Sequence, residues 1–191
     1  ESYRNFATKI WNACRFLQMN GRRGGAGKID LAKVEEPVNR WIVAEYNDTI
    51  AKTTAAIEAY RFNEAADALY SFVWHSYCDW YVELIKPQLD GDATETRATA
   101  AAILAGSLRL LHPIMPYLTE ELNEKIFASS DMMITEAWPD PVALPETDSP
   151  KEIGFLINLI SDIRYIRSEM NVPLSAKPVL QLRGASDLQT R

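Results

Sequence analysis

Cysteine and histidine are scarce in this chain. Two of each occur among 191 residues, which leaves little material for a metal centre or a nucleophilic relay. Cys14 and Cys78 each fall inside an apolar helical pattern and read as buried, reduced thiols. No Cys/His spacing resembles a zinc site, and there is no nucleophile elbow. His75 lies in an aromatic-crowded stretch and His112 precedes a proline. Each reads as structural, since catalysis needs convergent partners. Long hydrophobic runs are absent. Nothing approaches the ~20 apolar residues that cross a bilayer, and there is no secretory leader pattern. No membrane partner is expected, and a cytoplasmic location is. Glycine is also sparse, eight in all, yet four fall in GRRGGAGK at 21–28. A phosphate loop needs glycine, four residues, glycine, lysine and a hydroxyl residue after a strand. Here Arg22 takes the first position and Ile29 the last, and a helix precedes. That pattern excludes a nucleotide site there.

What the chain does have is a local reversal of charge. The formal net charge is −6, yet from Arg4 to Lys28 there are six basic residues and no acidic one. Residues 1–20, ESYRNFATKIWNACRFLQMN, read as one amphipathic helix. Phe6, Ile10, Ala13 and Leu17 form the core stripe, with Trp11 beside them. Arg4, Lys9 and Arg15 interleave with Asn5 and Asn12. A basic, amide-bearing, aromatic helix on an acidic protein points to an anionic partner, RNA being a candidate. The alternative is a solvated helix face beside a glycine-rich loop.

The remaining pattern is helical. Glu36-Pro37 opens a second helix running to about Tyr60. Asn63 is placed to cap a third. That helix is apolar around most of its circumference, so it is expected to be central and packed on several sides. Asp79 lies in its middle among aromatics, and burial there demands a partner, an arginine or an aromatic hydroxyl. Lys86-Pro87 ends it. A fourth helix spans Thr94 to Leu111, and Pro116 opens a fifth through about Phe127. Glu120 and Glu121 near its start suit the helix dipole. Met132–Thr135 is expected to be a short strand or extended segment. Residues 138–150 hold four prolines and read as a linker. Ser149-Pro150-Lys151-Glu152 opens a sixth helix, with Ile153, Leu156, Ile157, Ile160, Ile163 and Met170 toward the core, ended by Asn171-Val172-Pro173. Val179–Arg183, VLQLR, is strand-like and needs a partner. The fold expected is mainly α: an up-and-down bundle of four to five helices over 1–137, a proline-rich linker at 138–150, and a small C-terminal α/β piece at 151–191. The chain begins in mid-pattern at Glu1 and reads as part of a longer protein.

Four strings then go beyond composition: RNFATKIWNACRFLQMN, AYRFNEAADALYSFVWHSYCDWYVELIKPQL, LLHPIMPYLTEEL and IRYIRSEMNVPLSAK. In order and extent they resemble the C-terminal anticodon-binding domain of the valyl-tRNA synthetases. HPIMPYLTEEL alone is shared with the isoleucyl and leucyl enzymes; FVWHSYCDWYVEL with IRSEMNVP is similar to the valyl branch. The resemblance implies the anticodon-binding helical bundle of class I synthetases, with the anticodon arm of the valine tRNA as partner. It implies no cofactor in this fragment. ATP with magnesium, and valine, would be bound by a catalytic domain absent here, so the fragment itself is not catalytic. By resemblance Lys9, Arg15 and Phe16 fall on the family's helix-one contacts. Anticodon bases are read by stacking on aromatics and by hydrogen bonds to their edges. Phe16 suits stacking, Arg15 a base edge or phosphate, and Arg4 and Asn12 further contacts. His75 to Trp80 would close the pocket. Arg22, Arg23 and Lys28 in the loop would add backbone contacts. Asn123 stands where the family commonly has tryptophan. A sister enzyme, isoleucyl or leucyl, and a purely structural helical bundle remain as alternatives.

Overall fold

The computed structural model describes residues 2–20, 29–173, 175–179 and 181, with backbone alone at 2 and 3. Among them are six helices: α1 (Ser2–Asn20), α2 (Pro37–Glu58), α3 (residues 62–85), α4 (Thr94–Leu111), α5 (Pro116–Phe127) and α6 (Ser149–Glu169). Proline at the first turn of α2 and α5 sets both starts, since its fixed φ suits a helix entry where no N–H partner is needed. The chain divides into two compact units, Glu1–Gly154 and Phe155–Arg191.

In the first unit α3 is central and touches α1, α2 and α4. Leu69, Tyr77, Tyr81 and Ile85 of α3 are fully buried, as are Ile10 of α1, Ile42 of α2 and Ile103, Leu104 and Leu108 of α4. Its middle, Phe72–Tyr81, is π-helical, between α-helical ends at Phe62–Ser71 and Val82–Ile85. Polar ties join the layers. Buried Asn39 donates to Glu95 Oε1 (2.8 Å) and Thr96 Oγ1 (3.2 Å), and its own oxygen accepts from Tyr81 Oη (2.7 Å). Tyr77 Oη donates to the Ala100 carbonyl at 2.8 Å. The proline-rich segment is strapped to α2. Trp138 Nε1 donates to Thr54 Oγ1 (2.9 Å), and Asn47 exchanges two bonds with the backbone of Val142.

Several expectations are corrected. No strand occurs among the described residues. Met133–Thr135 closes into a 3-10 turn, because the Glu120 carboxylate accepts from Met133 N and bends the chain at that point. Val179 and Gln181 are not in a strand; Leu180, Leu182 and Arg183 lie outside the described residues. The β appendix therefore has no support. Asn63 is inside α3, which begins one residue earlier, where Arg61 Nε meets Glu64 at 2.9 Å and holds the first turn. The second unit is described by itself. There α6 ends where expected, with Asn171 in the left-handed region (φ 51°) and Arg167 donating to the carbonyls of Pro173 and Ala176. Its expected core stripe is not buried: Leu156 and Met170 are exposed, and Ile157, Ile160 and Ile163 half-buried.

Two predictions follow from this packing. A Cβ on Gly106 of α4 would fall 2.0 Å from Tyr46 Oη of α2. Glycine-to-alanine in an open helix stabilises by about 1 kcal/mol; here Gly106→Ala should cost about 1–3 kcal/mol in urea unfolding, as overpacking does. Tyr46→Phe should recover part of that loss, and strictly additive costs would refute the clash. The second concerns acid. Desolvation pushes the Glu95 carboxyl up, but bonds from Asn39 and from the N–H groups of Glu35 and Glu36, with the Arg40 charge, outweigh it and hold it below its ordinary 4.5. The unfolded chain then binds the proton more readily. Glu95 contributes stability above pH 4.5 that is lost as the pH falls further. Glu95→Gln should lower the urea midpoint at neutral pH and flatten its decline in acid.

Candidate nucleic-acid interface

Helix α1 is held by its apolar edge. Phe6, Ile10, Ala13 and Cys14 are buried, and Trp11 and Leu17 are half-buried. Trp11 lies under Lys125 of α5, Nζ 5.9 Å from the ring centroid. At its C-terminal end the Asn20 carbonyl accepts from Arg97 Nε of α4 at 3.0 Å, a cation meeting the negative end of the helix. Phe6 meets Tyr70 and Trp74, Lys9 meets Trp74 and Asp79, and Phe16 meets Lys86. The two partner lists rise together, so α1 and α3 run parallel.

This seating sorts the basic residues. Taking 100° per residue, Arg15 lies about 20° round from Arg4, Asn12 about 80°, Phe16 about 120° and Lys9 about 140°. Arg4, Asn12 and Arg15 are exposed. Among the described residues neither guanidinium has an acidic partner. The arginines stand about 16 Å apart along the axis, a pair of free cations on one ridge. Phe16 and Lys9 are half-buried at the edge facing α3. Lys86 Nζ lies 5.9 Å from the Phe16 ring centroid and is itself paired to Glu83. Arg22 and Arg23, with Lys28, lie outside the described residues.

Lys9 is the exception among the cations of α1. Its ammonium is paired to Asp79 and sits 4.5 Å from the centroid of the Trp74 ring. Trp74 stacks on Tyr70 at 5.4 Å and 20°, and Phe6 lies 6.3 Å from it at 23°. The exposed His75 places Nδ1 3.4 Å from the other Asp79 oxygen and meets Tyr70 edge-on. Trp74 and Asp79 are five residues apart, which on an α-helix leaves them about 140° apart. The i→i+5 bonding of the π stretch closes that angle and lets one lysine touch both. The partner expected for Asp79 was an arginine or an aromatic hydroxyl. It is Lys9, with His75, because the basic helix lies alongside. Nothing in a 3.6-residue reading pointed to this register; the run of aromatics was the only signal.

The other chemistry-bearing residues are structural. Burial pushes the Cys14 and Cys78 thiols up to about 12, so neither is poised as a thiolate. His112 Nδ1 bonds Thr119 Oγ1 at 2.8 Å, joining the end of α4 to the start of α5. Asn123 is buried, and its amide reaches the Asp131 carbonyl at 3.4 Å. Among the described residues no three His, Cys, Asp or Glu side chains converge as metal ligands, and no helix is long and apolar enough to cross a membrane. A cavity of about 430 Å³ between α2, α3 and Trp138 is lined by no residue of α1.

Residues 39–182 match the family described as the anticodon-binding domain of tRNA ligase. The chain is 50% identical to the valine–tRNA ligase of Caulobacter vibrioides, over 97% of this chain and 21% of that protein. With the valine–tRNA ligases of Rhodopseudomonas palustris and Rhizobium meliloti the identities are 41% and 45%, over 97% of the chain and 23% and 20% of those proteins. The chain thus spans about a fifth of the length of these curated relatives.

Proposed function

The chain belongs to the anticodon-binding domains of tRNA ligases, and from that premise we propose that it holds the anticodon arm of the valine tRNA through the exposed face of α1. The observation that carries this is the pair of exposed guanidiniums, Arg4 and Arg15, without an acidic partner among the described residues and flanking Asn12 on a protein of net charge −6. Phosphates bind such cations and gain affinity by releasing counterions. The acidic remainder repels RNA placed elsewhere, which adds selectivity of approach. Phe16, half-exposed beside this ridge, offers a stacking face. Arg22 and Arg23 of the glycine-rich stretch follow α1 in sequence and add positive charge for backbone contacts. In the whole enzyme this domain serves the attachment of valine to its tRNA. ATP with magnesium, and valine itself, belong to a catalytic domain, and these 191 residues supply only the grip on the RNA.

Binding to a valine anticodon stem-loop, beside an isoleucine one, across a salt series tests this reading. Affinity should fall with salt and favour the valine loop. Arg4→Ala and Arg15→Ala should each reduce the salt slope by about 0.7. Phe16→Ala should weaken binding by about 1–3 kcal/mol with unchanged helicity by circular dichroism. Equal affinity for both loops would reduce the domain to an electrostatic docking surface, and no binding at low salt would leave it a structural bundle.

A further inference from the structure

We propose that Asp79 is a specificity-determining residue of the RNA site: it clamps Lys9 onto the Trp74 ring, so that α1 offers phosphates only its arginines while the Lys9–Asp79 pair is kept for the edge of a base. The inference rests on the RNA-binding reading of α1. Arg4 and Arg15 have no acidic partner among the described residues, whereas Lys9, on the same helix, is paired to Asp79 and lies over Trp74. Both members of the pair keep part of their surface, 28% for the Lys9 side chain and 37% for Asp79, so a ligand can reach both. The carboxylate only accepts hydrogen bonds and the ammonium only donates them. A phosphate only accepts, so it gains at Lys9 and is repelled by Asp79. A base edge presents a donor beside an acceptor and satisfies both. Phe6 and Tyr70 pack on the Trp74 ring, which holds the lysine from below.

A half-exposed ion pair contributes only about 0–1 kcal/mol to folding, so stability alone does not account for it. The π stretch has a consequence here. It brings Trp74 and Asp79, five residues apart, against one lysine, a coincidence that an α-helical turn denies. His75, whose Nδ1 faces the second Asp79 oxygen at 3.4 Å, holds the carboxylate from its other side. Asp79 acts on phosphate through charge, and on Lys9 through position.

The test uses the 191-residue chain with two RNAs, a valine anticodon stem-loop and the same stem with abasic nucleotides in its loop. Asp79→Asn should bind both more tightly, steepen the salt slope by about 0.7 as Lys9 becomes available to phosphate, and bring the affinity ratio of the two RNAs toward one. Lys9→Gln should also lose discrimination but leave the salt slope unchanged. A slope that falls by about 0.7 in Lys9→Gln, as for a phosphate-binding lysine, overturns the proposal, as does an Asp79→Asn protein with wild-type slope and ratio. A measurement without RNA separates the clamp from the RNA reading. Lys9 should be acylated by an N-hydroxysuccinimide ester several-fold more slowly than Lys33, whose side chain is 82% exposed though paired to Asp30, and should react several-fold faster in Asp79→Asn than in the wild type. Equal rates in the wild type overturn the clamp whatever the RNA does. If Asp79→Asn loses its helicity, Lys9→Gln and the wild-type acylation rates decide. A wild-type chain that binds neither RNA overturns the RNA reading, and the assignment of Asp79 with it.

Discussion

A helix that is apolar around most of its circumference has to find a neighbour on every side, and α3 is such a helix. It meets α1, α2 and α4 at once, burying Leu69, Tyr77, Tyr81 and Ile85 between them. A uniform α pitch repeats its faces every 3.6 residues, and large aromatic side chains set three ways do not all fall on that repeat. Ten residues of π-helix change the register in the middle of the rod, where local widening is a recognised accommodation. Every later feature depends on this. The register puts Trp74 and Asp79 on the same neighbour, that neighbour is Lys9, and the seating of α1 decides which of its cations are left free.

Three of the chain's carboxylates hold the bundle together. Glu95 receives the amide of Asn39 and two backbone N–H groups from the entry to α2. Glu120 folds the Met133 turn against α5, and Glu136 pairs with Arg109 of α4 at 3.1 Å. Glu95 and Glu120 sit on α4 and α5, and Glu136 follows the Met133 turn, all outside α1. The basic ridge therefore keeps its field, since screening over ~10 Å limits what distant acids remove from it. A local positive surface on an acidic protein is what steering of an anionic partner requires.

Helix existence was legible because prolines mark the starts of α2 and α5 and the end of α3, and because the apolar stripes repeat at helical spacing. The central role of α3 was legible in its all-round apolarity, and so was the need of Asp79 for a partner. Its identity was not, for a physical reason: reading at 3.6 residues per turn places Trp74 and Asp79 on different faces, and only the π register joins them. The strand-like VLQLR failed differently. Its β-branched and aliphatic composition is a preference for a half-buried pleat, and among the described residues no strand is present for Val179 and Gln181 to pair with. The stripe of α6 is the same case: periodicity names a face, and burial needs something laid against it.

The seam between α1 and α3 shows how one ion pair divides a charged surface into two kinds of site. Left unpaired, a lysine about 140° round from Arg4 would be one more point of attraction for any phosphate, and attraction to phosphate carries no sequence information. Neutralised by a carboxylate, it no longer adds to the long-range field, yet it and Asp79 both keep exposed surface that a ligand can reach. On the proposed reading the arginines supply affinity by charge, whereas the pair rewards only a partner whose donors and acceptors alternate as its own do. The cost of ordering Lys9 is met before any ligand arrives, by the Trp74 ring beneath its ammonium and the carboxylate beside it. A ligand then meets a preorganised edge instead of a mobile chain. The aromatic crowding that forces α3 out of α-helical register is thus also what holds a donor and an acceptor ready beside a basic ridge.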